Sequence, residues 1–149
     1  MLRRRWRELV LFSDGATGAT GEATGLGAVV RRPDGEIVAW ATRRMGRMTN
    51  NEAEYAALSL GLEAARRFRP QKLRCFLDSE IVVGQMRGDF SVHSPGLRKW
   101  HTRACVAARS FPRVTFTRVP RERNRLADAL ANEALSGVAG CNGETENRR

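Results

Sequence analysis

The run Leu9-Val10-Leu11-Phe12 contains no polar residue, and it constrains the fold more than any other segment of the chain. A strand with one face in water alternates apolar and polar side chains, whereas a strand covered on both faces can be apolar throughout. We therefore predict a buried strand at about residues 8–14, inside a sheet that carries other elements on its faces. Residues 73–77 predict a second buried strand. An aspartate ends each of these segments, Asp14 in the first and Asp78 in the second.

The segment after the first strand contains strong turn and helix signals. Pro33-Asp34-Gly35 predicts a tight turn between strands at 26–32 and 36–42, which should form an antiparallel hairpin. Residues 15–25, rich in Gly, Thr and Ala, are predicted to be a loop. Thr49-Asn50-Asn51-Glu52 has the spacing of a capping box and predicts a helix over about 50–69.

The second half of the chain alternates helices with a strand. Ser79 is expected to cap a short helix that Gly88 closes, and Ser94-Pro95 to open a helix that ends near Ser110. A strand at 114–119 and a last helix at 123–135 follow. This order predicts an α/β fold with a five-stranded mixed sheet, three antiparallel meander strands plus two parallel strands, flanked by helices.

The length of 149 residues fits one domain with one core. We assign residues 8–135 to this domain, residues 1–7 to a basic N-terminal extension and residues 136–149, which are nearly devoid of apolar side chains, to a flexible tail. No apolar run approaches the roughly 18 residues of a membrane span. We expect a soluble, cytoplasmic protein that does not engage a membrane.

The formal net charge of +10 makes nucleic acid the default partner, because arginines that neutralise phosphates release counterions. The alternative is a solvated basic surface, which the use of 24 Arg and only two Lys permits. The three cysteines do not have the spacing of a metal site. Cys75 and Cys105, in apolar surroundings, are expected to be buried thiols.

Four acidic residues carry the chemical signal: Asp14, Glu54, Asp78 and Asp128. Each alone has a structural explanation, as a turn former, a cap or an exposed helix residue. Together they are expected to converge, because ligands bind at the carboxyl ends of strands in an open α/β sheet. Converging carboxylates repel unless cations neutralise them, and an oxygen-rich set suits Mg²⁺ or Mn²⁺. The chemistry indicated is two-metal hydrolysis of a phosphodiester.

Several segments resemble the type 1 ribonuclease H family, and more closely its archaeal-like and actinobacterial branch. They follow the family's order over about residues 8–135, and together they are far more specific than any one alone. The segments are Phe12-Ser13-Asp14-Gly15-Ala16, Thr49-Asn50-Asn51-Glu52-Ala53-Glu54-Tyr55, Leu77-Asp78-Ser79, Val119-Pro120-Arg121-Glu122-Arg123-Asn124 and Ala127-Asp128-Ala129-Leu130-Ala131-Asn132.

The resemblance implies a ribonuclease H-like fold and an endoribonuclease that hydrolyses the RNA strand of RNA/DNA hybrids. The four acids would be catalytic and would bind two Mg²⁺ ions, with Mn²⁺ as substitute, and the products would carry 5′-phosphate and 3′-hydroxyl ends. No protein partner is implied. The substrate-binding residues that the resemblance suggests are Thr49, Asn50, Asn51, Gly15, Ala16 and Ser79; Thr49 and Asn51 also have structural explanations at the start of a helix.

The chain departs from the family in three places. Many members carry a histidine before the last helix, but residues 118–123 contain none, so Arg118, Arg121 and Asn124 are candidate auxiliary residues. Neither arginine can act as a general base, since a guanidinium stays protonated. The basic protrusion of some bacterial relatives is missing at 89–98. The sequences at 18–21 and at Glu80 also differ, which affects fine substrate contacts.

Two other functions are compatible with such a fold. One is a catalytically silent nucleic-acid-binding domain, against which the presence of all four acids argues. The other is a nuclease with a different substrate, such as an exonuclease or a cutter of double-stranded RNA. The run Thr49-Asn50-Asn51 argues against the second alternative.

Overall fold

A computed structural model describes residues 6–136 and 142–144. The strands are β1 (Glu8–Thr17), β2 (Thr24–Arg31), β3 (Ile37–Met45), β4 (Lys72–Leu77), β5 (Arg113–Arg118) and β6 (Asn142–Glu144). The helices are α1 (Asn50–Arg66), α2 (Glu80–Arg87), α3 (Pro95–Ala108) and α4 (Arg125–Leu135), and a 3-10 turn, Arg121–Arg123, precedes α4.

The strands form one sheet in the order β5-β4-β1-β2-β3-β6. Strands β1, β2 and β3 pair antiparallel, while β4 pairs parallel with both β1 and β5. The predicted mixed sheet of five strands is confirmed, and β6 adds a short antiparallel strand to the β3 edge. The pairing of β1 with β4 runs to Phe12 and Phe76, each two residues before an aspartate. Asp14 and Asp78 therefore lie where these two parallel strands separate.

Strand β1 is covered on both faces, as its apolar run predicts. Leu9 and Leu11 are fully buried in a core that the sheet shares with α1 and α3. Helix α4 packs on the opposite face, against β1, β2 and β3. Because side chains alternate along β2, Leu26 and Ala28 face α1 while Gly25 and Gly27 face α4. The fold is thus a three-layer arrangement with β1 and β2 at its centre.

The predicted loop at 15–25 is too long, because β1 continues to Thr17 and β2 already begins at Thr24. Gly18 and Gly21 form the turn that remains, where Gly21 has a φ of +75°, whereas Gly25 and Gly27 mark close packing. A Cβ atom on Gly25 would lie 1.9 Å from the Ala131 carbonyl oxygen, and one on Gly27 would lie 2.4 Å from that of Ala127. Glycine within a strand often marks such an approach of backbone to backbone. Here it brings α4 directly onto β2.

The turn and cap signals of the sequence are confirmed. The Thr49 hydroxyl accepts a hydrogen bond from the Glu52 amide, and the Glu52 carboxylate accepts one from the Thr49 amide, which completes the capping box of α1. Ser79 and Ser94 cap α2 and α3 through their hydroxyls alone, which accept hydrogen bonds from the amides of Val82 and Leu97. Gly35 adopts a φ of +94° in the hairpin turn. The last helix begins at Arg125, two residues later than predicted, because the 3-10 turn occupies 121–123.

The two ends of the chain are described only in part. The prediction of a flexible tail over 136–149 is wrong for Asn142–Glu144, which pairs with Ala39–Ala41 of β3. The other predicted tail residues after Ser136 lie outside the described residues, as do residues 1–5 of the predicted N-terminal extension. Trp6 packs edge-on against Phe68. Among the described residues, no helix is long and apolar enough to cross a membrane.

Candidate active site

Four acidic side chains from four separate parts of the chain line one pocket at the point where β1 and β4 separate. Asp14 comes from β1, Glu54 from the first turns of α1, Asp78 from the residue after β4, and Asp128 from the first turn of α4. The capping box fixes where α1 begins, and so fixes the height of Glu54 above the sheet. The structure therefore brings together the four acids that the sequence singled out.

Asp14, Glu54 and Asp78 form the tightest part of this group. One carboxylate oxygen from each lies within 4.8 Å of the others. Asp14 is 3% exposed and Glu54 is 8% exposed, so water screens their charges poorly. The Gly15 amide donates a hydrogen bond of 3.1 Å to Glu54 Oε1. Neither Asp14 Oδ2 nor Glu54 Oε2 has a hydrogen-bond partner among the described residues.

The electrostatics of the cluster favour protonation when no cation is bound. Burial raises the pKa of Asp14 strongly, and the neighbouring charge of Glu54 raises it further. Burial also raises the pKa of Glu54, although its contacts with Asp14, the Gly15 amide and Arg121 act in the opposite direction. The pKa of Asp78 is raised by burial, against the effect of Arg121. The cluster therefore holds protons unless another positive charge replaces them.

Asp128 is held from its own helix. Asn132, one turn later on α4, donates hydrogen bonds from Nδ2 to the Asp128 carbonyl oxygen at 2.9 Å and to Asp128 Oδ1 at 3.2 Å. Asn132 lines the pocket and was not predicted as a site residue. The four-residue spacing, which places two helical residues on one face, is the signal that could have revealed it.

Two arginines supply the positive charge of the pocket. Arg118, at the end of β5, and Arg121, in the 3-10 turn, both line it. Arg121 lowers the pKa of both Glu54 and Asp78, although burial outweighs it. No histidine is among the described residues that line the pocket: His101 contacts the ring of Tyr55 and the sulfur of Cys105 on the α3 side.

The predicted substrate-binding residues lie in different positions. Gly15, Ala16 and Asn50 line the pocket, and the Thr17 hydroxyl donates a hydrogen bond of 3.3 Å to Asn50 Oδ1. Thr17 was not predicted, because strand β1 was expected to end at Asp14. The three remaining predicted residues do not line the pocket: they are Thr49, Asn51 and Ser79.

Asn124, a candidate auxiliary residue, is placed differently from the two arginines. It is 1% exposed and does not line the pocket. Its side-chain Nδ2 donates a hydrogen bond of 2.9 Å to the Ser13 carbonyl oxygen. Asn124 therefore ties the start of α4 to the backbone beside Asp14, which is a structural role.

The donor set fits a divalent cation that prefers oxygen. All four side chains are carboxylates, and two buried oxygens have no partner among the described residues. Hard cations such as Mg²⁺ and Mn²⁺ take oxygen ligands, whereas zinc sites in proteins are rich in histidine and cysteine. A bound cation would coordinate the unpartnered oxygens and would lower the raised pKa values of the carboxyl groups.

Comparison with known proteins identifies relatives over most of the chain. A protein-family model described as reverse transcriptase-like matches residues 12–134. Ribonuclease HI of Halobacterium salinarum is 40% identical over 124 residues, which cover 83% of this chain and 62% of that protein. The bifunctional protein Rv2228c of Mycobacterium tuberculosis is 37% identical over 133 residues, which cover 89% of this chain and 36% of that protein. The chain thus spans only part of the length of these curated relatives.

Solved structures agree with the sequence matches. The N-terminal RNase H domain of Rv2228c has a TM-score of 0.84 at 36% identity, over 88% of this chain and 95% of that one. RNase H1 of Halobacterium salinarum has a TM-score of 0.83 at 38% identity, over 88% and 99%. LC11-RNase H1, solved in complex with an RNA/DNA hybrid, has a TM-score of 0.81 at 29% identity, over 87% and 97%. With this fold, this acidic pocket and these relatives, the chain belongs to the type 1 ribonuclease H family.

Proposed function

We propose that the protein is an endoribonuclease that hydrolyses the RNA strand of RNA/DNA hybrids and leaves 5′-phosphate and 3′-hydroxyl ends. The observation that carries this proposal is the pocket in which four acids from separate parts of the chain converge, with two buried carboxylate oxygens that have no hydrogen-bond partner among the described residues. Its relatives include a ribonuclease HI and an RNase H1 solved with a hybrid, which supports this substrate over other nucleic acids.

Asp14, Glu54, Asp78 and Asp128 are the proposed ligands of two Mg²⁺ ions, with Mn²⁺ as a substitute. The bound ions would supply activation of the attacking water and charge stabilisation at the leaving 3′ oxygen. The Gly15 amide orients Glu54, and Asn132 orients Asp128. Arg118 and Arg121 add positive charge at the rim, where they attract the phosphodiester and stabilise its charge. Neither arginine takes a proton, because the guanidinium is always charged.

Recognition of the hybrid is assigned to the residues around the start of α1. Asn50 lines the pocket and accepts a hydrogen bond from Thr17, which supports its assignment to the 2′-hydroxyls of the RNA strand. A protein distinguishes RNA from DNA through this group, in a minor groove wide enough to admit side chains. We assign Asn51 to the same groove, Thr49 to a phosphate of the DNA strand, and Gly15, Ala16 and Ser79 to the backbone near the cut.

One experiment tests the proposal. The protein is incubated with an end-labelled RNA/DNA hybrid, double-stranded RNA or double-stranded DNA, in Mg²⁺, Mn²⁺ or chelator. We expect cleavage of the RNA strand of the hybrid alone, and only with metal. Asp78→Asn should abolish cleavage while hybrid binding persists, and Asp89→Asn, a matched change at an exposed acid paired with Arg87, should leave cleavage unchanged. Survival of the hybrid in both metals would refute the proposal.

A further inference from the structure

A second cleft lies on the α4 side of the sheet, behind the acidic pocket. Its volume is about 400 Å³, within the range of small-molecule and nucleotide sites. Its floor is formed by side chains of β1, β2 and β4, and its wall by the start of α4, with Leu126 and Ala127. Helix α4 packs against β1, β2 and β3 but leaves Phe76 of β4 half-buried. The proposed nuclease activity does not assign a role to this cleft.

The floor of the cleft carries an aromatic pair between two arginines. Phe12 and Phe76 are register partners on β1 and β4, and their rings stack with centroids 5.2 Å apart. The guanidinium carbon of Arg31 lies 5.8 Å from the centroid of Phe12, and that of Arg74 lies 5.7 Å from the centroid of Phe76. Phe12 thus lies between Phe76 and Arg31, and Arg74 lies over Phe76, so the pair presents ring edges and guanidinium planes to the cleft. Guanidinium planes are surfaces on which unpaired nucleic-acid bases stack.

The charged side chains that line this cleft are all positive. Of the residues that the structure describes, no acid lines it, whereas four arginines do: Arg31, Arg32, Arg74 and Arg123. Nearby acids partly neutralise two of them. Arg32 pairs with Asp34 and Glu36, and Arg74 Nε lies 3.4 Å from Glu8. Among the described residues, neither Arg31 nor Arg123 forms an ion pair, so their charges are available to an anion.

The cleft and the acidic pocket are built on neighbouring residues of the same two chain segments. Phe12 precedes Asp14 by two residues on β1, and Phe76 precedes Asp78 by two residues beside it, so each phenylalanine lies about 7 Å from an acid along its strand. The 3-10 turn separates the two openings: Arg121 lines the acidic pocket and Arg123 lines the cleft. A chain that leaves the pocket past this turn would meet Arg123 first.

We propose that this arginine–phenylalanine cleft binds a single-stranded stretch of nucleic acid. Stacking surfaces favour a single strand, because the bases of a duplex hide their faces from protein side chains. The arginines would hold its phosphates. The bound strand would be an unpaired overhang of the hybrid that the acidic pocket cleaves, and this part of the inference rests on the proposed function. The binding of a single strand does not rest on it.

Binding is measured by fluorescence anisotropy with labelled twelve-residue oligothymidylate and oligouridylate, in chelator so that no cleavage occurs. Two variants change the cleft differently: Arg123→Glu reverses an exposed charge, and Phe76→Leu keeps bulk but removes the ring. Each should weaken binding about tenfold, the lower range of one lost stacking or phosphate contact. The matched control is Arg109→Glu, an exposed arginine at the end of α3, which should change binding less than about twofold.

Three outcomes would overturn the inference. The first is an equal loss for Arg109→Glu and Arg123→Glu, which would mean diffuse attraction to a basic surface. The second is displacement of the labelled oligonucleotide by polyglutamate at the same concentration as by unlabelled oligothymidylate. This result would mean that the cleft binds any polyanion and does not recognise bases. The third is unchanged binding by Phe76→Leu that circular dichroism shows to be folded. Cleavage of a blunt hybrid, measured in parallel, tests the proposed function separately and should not change in either cleft variant.

Discussion

Gly15 sits between two of the proposed metal ligands, and replacing it with alanine is a sharp test of how the pocket is built. Its amide donates to Glu54 Oε1, and it follows Asp14 directly. A Cβ atom at this position would lie 2.6, 2.7 and 2.8 Å from the carbonyl carbon, carbonyl oxygen and Cβ of Ala53. Two of these atoms are helix backbone, so no side-chain rotation can relieve the contact.

The size of the effect follows from these distances. Ordinary contact begins near 3.4 Å, so α1 must move away from β1 by about 0.8 Å at this point. This movement carries Glu54 away from Asp14. A displacement of about 1 Å in a catalytic group can cost about a hundredfold in rate, and we expect kcat/KM for the hybrid to fall by that order. Forcing one methyl into a packed site costs about 1–3 kcal/mol of unfolding free energy.

The assay is steady-state cleavage of a labelled hybrid in Mg²⁺, together with thermal unfolding of the same preparations. Gly18→Ala is the matched control, because its new Cβ atom would lie 3.5 Å from the nearest atom, the Ala23 carbonyl oxygen, which is ordinary contact. It should cleave at nearly the wild-type rate. A Gly15→Ala variant that keeps kcat/KM within about threefold of wild type would refute the argument that this backbone contact sets the distance between β1 and α1.

Two further predictions concern the acids themselves. Asn132→Ala should lower activity or Mg²⁺ affinity by about 10- to 100-fold, the usual cost of losing a group that orients a ligand, while Glu133→Ala beside it should not; equal activity of both variants would show that Asp128 needs no support. The metal-free protein should lose stability as pH rises from about 5 to 8, because the raised pKa values of Asp14 and Glu54 mean that the folded state holds protons that the unfolded state releases. Saturating Mg²⁺ should remove much of this loss, and Asp14→Asn should flatten the pH dependence; a melting temperature that rises with pH in chelator would contradict the assignment.

Much of the fold was predictable because local signals and the hydrophobic pattern agreed. The apolar run of β1, the capping box at Thr49 and the turn at Gly35 each act within a few residues, and each is found in the structure. The convergence of Asp14 and Asp78 followed from a general property of parallel strands, whose carboxyl ends share one edge of the sheet. Their role as metal ligands remains a proposal.

The features that the sequence did not predict depend on distant parts of the chain. Asn124 donates a hydrogen bond to the backbone of Ser13, 111 residues away, and the residues next to Asn124 do not indicate this partner. Gly25 was predicted to end a loop and Gly27 to lie in a strand, but neither prediction includes the helix that packs on them, because a glycine that admits a neighbouring helix looks locally identical to one that does not. The arginine–phenylalanine cleft depends on side-by-side pairing of β1 and β4, which are separated by two strands and a helix in sequence.

The short strand β6 covers part of the outer edge of the sheet. The outer edge of β3 would otherwise present unpaired amides and carbonyls, a surface on which a second chain can add a strand. Asn142–Glu144 occupies part of that edge, and Gly143 packs so closely on Trp40 that a Cβ atom there would meet the indole ring at 1.9 Å. A fragment cut after Leu135 would keep every acid of the pocket but would leave the backbone amides and carbonyls of the β3 edge unpaired. Expression boundaries and fused tags should therefore leave Asn142–Glu144 intact.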